Sequence, residues 1–256
     1  MEVIILVTAF LASLLTLFSG FGLGTLLMPV MALFFPLPIA IALTGIVHLS
    51  NNLFKLSLLG KHASLKMALQ FGIPSMLGGL AGAWALTALD NLPVLAQWQW
   101  AEKVFELKII KLALSVLMIF FALMELIPGL KNIQFPQRYL TLGGLLSGFF
   151  GGLSGHQGAL RTAFLIRTGL KKEVFIATGV LIACMVDLTR IPVYWVRLQE
   201  NEAIRQWPLL AGTCLAAFAG AYLGTRYLQK ITLGVVQKIT AVLLFAIAIL
   251  LGAGIL

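Results

Sequence analysis

Charge is scarce in this chain, and acid is scarcer. Of 256 residues only 11% are charged, and nine are Asp or Glu. Cysteine occurs twice, at Cys184 and Cys214, both inside apolar runs. That argues against a disulfide framework or a cysteine-based metal cluster. No His/Cys pairs stand at ligand spacing, so no metal is expected. There is no basic run and no RNA-binding motif, so the net charge of +9 does not point to nucleic acid. "GFGLG" lacks the third glycine and the acidic residue of a dinucleotide site, and "GLSGHQG" lacks the Gly-Lys-Ser/Thr ending of a P-loop. The serine of "GLSGH" has no strand–elbow–helix context. No cofactor is expected. The opening "MEVIILVTAFLASLLTLF" has no positively charged start and reads as a retained first helix.

What is present is apolar surface. The chain is 60% hydrophobic, with a mean hydropathy of +1.01. Apolar segments cover roughly 3–18, 23–35, 39–59, 67–89, 107–127, 139–153, 158–170, 173–196, 207–228 and 234–256. Many are near the ~20 residues that cross a bilayer as a helix. In lipid the backbone must satisfy itself, and these Leu/Ala/Ile runs do not alternate as barrel strands would. The reading is an all-α polytopic integral membrane protein.

Two segments, 23–35 and 158–170, are too short to span. Each follows a glycine-rich break, "SGFGLG" at 19–24 and "SGHQG" at 154–158. At a constant offset of 134 residues, Gly24 matches Gly158, Thr44-Gly45 matches Thr178-Gly179, Pro74 matches Pro208 and Gly78 matches Gly212. This spacing predicts two membrane repeats, 1–128 and 136–256, joined by a linker at 129–135. Each would be a broken helical hairpin followed by three spanning helices.

Charge gives the orientation. Lys55, Lys61, Lys66, Lys131, Arg138, Arg167, Lys171, Lys172, Arg226, Lys230 and Lys238 fall in one set of connections, with Glu173 the one acid among them. The opposite set balances Lys103, Lys108, Lys111, Arg190, Arg197 and Arg205 against Glu2, Asp90, Glu102, Glu106, Glu200 and Glu202. The cationic set belongs in the cytoplasm. Each half then makes an odd number of crossings, so the repeats are inverted, with both termini outside. Inverted repeats with matched broken helices mark a secondary transporter, with its site near the midplane. The stretch 90–106 reads as an interfacial excursion that holds Trp98 and Trp100 at headgroup level.

Polar residues inside apolar runs are costly in lipid and usually functional. In "TGIVHLSNNLFK", His48, Asn51, Asn52 and Lys55 share one helical face with Thr44. That stripe is either glue between helices, with Lys55 reaching to the inner surface, or the lining of a solute path. In the matching segment, Asp187 and Arg190 stand three apart and can pair. They form either a structural ion pair or a site of proton or cation coupling. Arg161 lies one turn past Gly158, deep by chain count. It either pairs with Asp187 or a helix carbonyl, or contacts an anion through its planar fork. The helix start near Gly158 favours an anion as well. His156 either caps the turn or donates to solute, and Gln157, Gly24 and Gly158 are expected to bind the solute with it. Glu125 reads as interfacial.

These motifs resemble the sulfite exporter TauE/SafE family of bacterial membrane permeases. The likeness rests on "SGFGLGTLLMPV" and "TGIVHLSNNLFK" in the first half, and on "GGLLSGFFGGLSGHQGALR" and "VFIATGVLIACMVD" in the second. It covers essentially the whole chain. It implies ATP-independent transport of small sulfur-containing anions such as sulfite, thiosulfate or sulfonated organics, in the bacterial inner membrane. Two features depart from the family pattern. "GHQGA" stands where a further "GIGGG" is common, and Pro29 is matched by Ala163. The expected partners are a small anion, the lipid bilayer, a coupling proton or cation and further copies of the chain. The rival readings are a membrane-embedded enzyme such as a lipid phosphatase, and a transporter of an unrelated solute. Asp187 is the only deep carboxylate, which leaves the enzyme short of catalytic groups.

Overall fold

Long Leu/Ala/Ile runs satisfy their own backbone as helices, and the chain does so almost throughout. The computed structural model describes residues 1–16, 23–100, 103–131, 133–199, 207–227 and 233–256. The helices are α1 (Glu2–Thr16), α2 (Leu23–Ala32), α3 (Leu37–Leu59), α4 (Leu65–Asp90), α5 (Ile109–Leu126), the short α6 (Pro128–Lys131), α7 (Leu140–Ser154), α8 (Gly158–Leu165), α9 (Lys172–Gln199), α10 (Trp207–Tyr227) and α11 (Leu233–Gly252). Among the described residues, α3, α4, α9 and α10 are long and apolar enough to cross a membrane. The molecule is an all-α polytopic membrane protein. Its outward surface carries apolar side chains such as Leu77, Trp84, Leu188, Leu215 and Ile249, as a lipid-facing surface must.

Local chemistry sets the helix ends. α3 begins on Pro36, with a second proline in its first turn, where a missing N–H costs nothing. Ser64 caps α4 by accepting from the Met67 N–H at 3.4 Å. Gly155 ends α7 at φ +81°, a left-handed conformation that side chains rarely adopt. The expected second break is therefore present, between α7 and α8. Its partner at 19–24 lies mostly outside the described residues; of that stretch, Leu23 and Gly24 open α2. Every residue of α2 is buried, which makes it an interior half-helix.

Packing joins helices that are distant in sequence. α7 lies along α4, α1 along α10, α3 across α9, and α5 along α11. Glycines bring α4 and α7 into backbone contact. A Cβ on Gly78 or Gly82 would strike the carbonyls of Leu145 or Phe149, and one on Gly148 or Gly152 would strike those of Ser75 or Gly79. Close approach of this kind is how membrane helices associate without a hydrophobic drive.

The stretch 90–106 takes a form not anticipated above. Val94–Trp100 (β1) and Lys103–Lys108 (β2) pair as an antiparallel hairpin. The run alternates apolar and polar residues (Ala96, Gln97, Trp98, Gln99), which is the strand period. Trp98 stacks on Phe105 at 4.5 Å, and the Gln97 amide donates to Glu106 at 3.1 Å. The Trp98 indole N–H donates to the Ala253 carbonyl at 2.9 Å, which ties the hairpin to the end of α11. The Trp100 side chain lies outside the described residues.

Candidate functional site

The site is built where α3, α8 and α9 meet the α7–α8 break. His48, Asn51, Asn52 and Lys55 are all buried on α3, as one helical face should place them. Lys55 is 4% exposed and does not reach the surface. With the Asn51 amide oxygen facing it, Lys55 Nζ donates there at 3.2 Å. The same amide donates to the Ala217 carbonyl of α10 at 3.2 Å and lies 3.0 Å from the Ser13 hydroxyl of α1. The stripe is thus glue at its Lys55 end, joining α1, α3 and α10.

Its upper end is ionic. His48 Nδ1 lies 2.6 Å from Asp187 Oδ2, which links α3 to α9. The Asn52 amide lies 3.2 Å from the His48 ring nitrogens. Arg190 donates through Nε to Asp187 Oδ1 at 2.8 Å, so the pair expected from i, i+3 spacing forms. Asp187 is therefore taken by His48 and Arg190. The alternative in which it pairs with Arg161 is not what the structure holds.

Arg190 and Tyr194 also hold the break in shape. Arg190 NH1 donates to the Gly151 carbonyl at 2.7 Å, and the Tyr194 hydroxyl donates to the Gly152 carbonyl. These are last-turn carbonyls of α7, where the helix dipole is negative and a cation is favoured. Gly45 and Gly155 line the guanidinium; a Cβ on either would sit in ordinary contact, 3.5–3.6 Å from its nitrogens. Arg190, expected to serve coupling or charge balance, is also a cap.

The other face of the break carries unused polar atoms. Arg161 NH1, Gln157 Oε1 and Nε2, His156 Nε2 and Thr44 Oγ1 are buried with no hydrogen-bond partner among the described residues. Buried polar groups are nearly always paired, so five such atoms at one break are unusual. His156 takes part in the turn, the first of the two roles considered for it. Its Nδ1 contacts the Ser154 carbonyl at 2.9 Å within the turn, its ring stacks on Phe121, and Nε2 is left over. Gly158 opens α8, whose first N–H groups have no partner within the helix. Gly24 brings α2 against this point; a Cβ there would lie 3.7 Å from the Gly155 carbonyl and from His48. Arg161 passes Gly179 of α9, where a Cβ would lie 3.5 Å from its Nε. The Glu125 side chain lies outside the described residues.

Sequence reading missed Ser13, Ser147 and Tyr194. Ser147 donates to the Gln157 carbonyl at 3.0 Å and so supports the break. Ser13 and Ser147 stand at the same 134-residue offset as the matched glycines, a signal that was available.

The family model described as sulfite exporter TauE/SafE matches residues 5–251. The chain belongs to the sulfite exporter TauE/SafE family. No curated protein and no solved structure matches it significantly. As a TauE/SafE member it is a membrane transporter rather than an enzyme, working on a small anionic solute within the lipid bilayer.

Proposed function

We propose that the protein is a secondary permease of the bacterial inner membrane for a small sulfur-containing oxyanion, such as sulfite, thiosulfate or an organosulfonate. Arg161 NH1, without a partner among the described residues, carries this reading. A buried guanidinium fork with a free donor suits an oxyanion, and Gln157, His156, Thr44 and the start of α8 offer further donors around it. In this proposal Arg161 recognises charge, while His48–Asp187–Arg190 couples the solute to a proton or cation. Alternating access follows from two inverted repeats, 1–128 and 136–256. Exchanging the halves turns the α4–α7 packing into α10–α1, and maps α3–α9 and α5–α11 onto themselves, which supports the repeat assignment. The glycine-close α4–α7 seam argues that the moving bodies combine elements of both repeats, so neither repeat rocks as a whole. Both termini lie outside the cell.

Counterflow of labelled thiosulfate and sulfite into proteoliposomes tests the proposal. Wild type exchanges anion, and Arg161→Ala reduces exchange to background while keeping a monodisperse profile in detergent. Normal exchange by the variant refutes the role given to Arg161.

A further inference from the structure

Among the described residues, the buried charges at the bundle centre do not balance. Three cations, Lys55, Arg161 and Arg190, are 4%, 7% and 1% exposed, and His48 lies among them. Asp187 is the one buried carboxylate among the described residues. Glu2 and Glu173 are exposed, Asp90 is half-buried at the end of α4, and Glu106 is half-buried in the β1–β2 hairpin. Both oxygens of Asp187 are engaged, Oδ1 by Arg190 at 2.8 Å and Oδ2 by His48 at 2.6 Å.

Lys55 and Arg161 are left over. Neither has an ion pair among the described residues. Lys55 has only the neutral Asn51 amide, and Arg161 keeps an unpartnered NH1. The contacts of His48 with Asp187 and of Ser64 with Thr178 run α3 antiparallel along α9 and bring Lys55 to the level of Gly179, the glycine against which Arg161 packs. The half-helix α2 brings no charge to the centre, since Leu23–Ala32 holds no ionisable side chain. A buried charge without a counter-charge costs several kcal/mol, and two neighbouring like charges cost more.

Accepting the anion site proposed above, we infer that Lys55 is its specificity-determining residue, selecting a divalent oxyanion over a monovalent one by compensating the second charge. Arg161 offers a planar fork to two oxygens, and Lys55 adds a compact point charge from the inner side. A dianion offsets both cations. A monoanion of the same size leaves one uncompensated. The two cations arise from different halves of the chain, so a dianion also bridges α3 to α8. The loaded centre is then close to neutral, which lowers the barrier to its passage through the membrane midplane.

Titration calorimetry on the purified full-length protein tests this, with thiosulfate as the divalent probe and methanesulfonate as the monovalent one at equal ionic strength. Wild type should bind thiosulfate about tenfold or more tightly than methanesulfonate, the ratio expected when one extra charge is compensated in a partly screened site. Lys55→Met should collapse the ratio toward one, Lys55→Arg should keep it, and Arg161→Gln should weaken both anions. A wild-type ratio near one overturns the inference, as does a ratio that survives Lys55→Met. The wild-type ratio decides the matter even where a variant fails to fold, and Lys55→Gln is the second neutral variant. If wild type binds neither anion, the anion site itself is refuted. If it binds both equally, only the selection by charge falls.

Discussion

Arg190 and Arg161 are the same residue type at similar burial, yet their environments give opposite expectations. Arg190 is bound to Asp187 and to the α7 carbonyl end, so its removal leaves a buried carboxylate short of a partner. Breaking such a pair typically costs about 3–5 kcal/mol. Arg190→Gln should therefore lower the thermal unfolding midpoint markedly. Arg161 has no counter-charge among the described residues, so Arg161→Gln should leave the midpoint unchanged or raise it. Thermal melts of both variants in detergent check this, and equal losses would mean that Arg161 is a structural residue. The sequence told the two arginines apart only in part. Spacing of i, i+3 shows that Arg190 can meet Asp187, because both sit on one helix. The second partner of Asp187 is His48, 139 residues away, and no local pattern encodes which helix crosses there. Tyr194 was hidden for a related reason. An aromatic near the end of a membrane helix reads as an interfacial anchor, and its hydroxyl contact with Gly152 depends on where α7 stops.

Among the elements, the glycines sort by what stands opposite them. Those of α4 and α7 face backbone, which cannot move aside as a side chain can. Gly148→Ala and Gly82→Val should each force the two helices apart and abolish monodisperse protein. Gly129→Ala, where a Cβ would meet nothing within 4 Å, should behave as wild type. Size-exclusion profiles after extraction make the comparison. The broken α7–α8 hairpin was legible because glycine and polar residues interrupted an apolar run, a local signal. The hairpin of β1 and β2 carried a period-2 pattern, but it lay within a short connection rich in tryptophan. In a membrane chain that composition suggests an interface before it suggests a strand. What decides for pairing is the facing Lys103–Lys108 segment and the anchor from Trp98 to Ala253.

The arrangement of the whole molecule places the β1–β2 hairpin and the end of α11 on one side of the bundle, through the contacts of Trp98 and Gly254. The basic connections around Lys61, Lys66, Lys171 and Lys172 fall at the opposite ends of α3, α4 and α9. With the basic side in the cytoplasm, single cysteines at Val104 and Ile255 should react with an impermeant maleimide from outside intact cells. A cysteine at Lys171 should react only after permeabilisation, and Cys184 and Cys214 would be replaced first to clear the background. Reversed labelling would invert the assigned orientation. Length, helicity and the count of long apolar runs were readable from the sequence because each is a sum over local composition. The seam between α4 and α7 was not, because it is a property of two surfaces that meet only after the chain has turned back. That seam also bears on how the protein is made. While α4 emerges from the ribosome, α7 does not yet exist, and the groove along Gly78 and Gly82 has nothing to receive it. The first half must wait in the bilayer, unfinished, until its complement is synthesised.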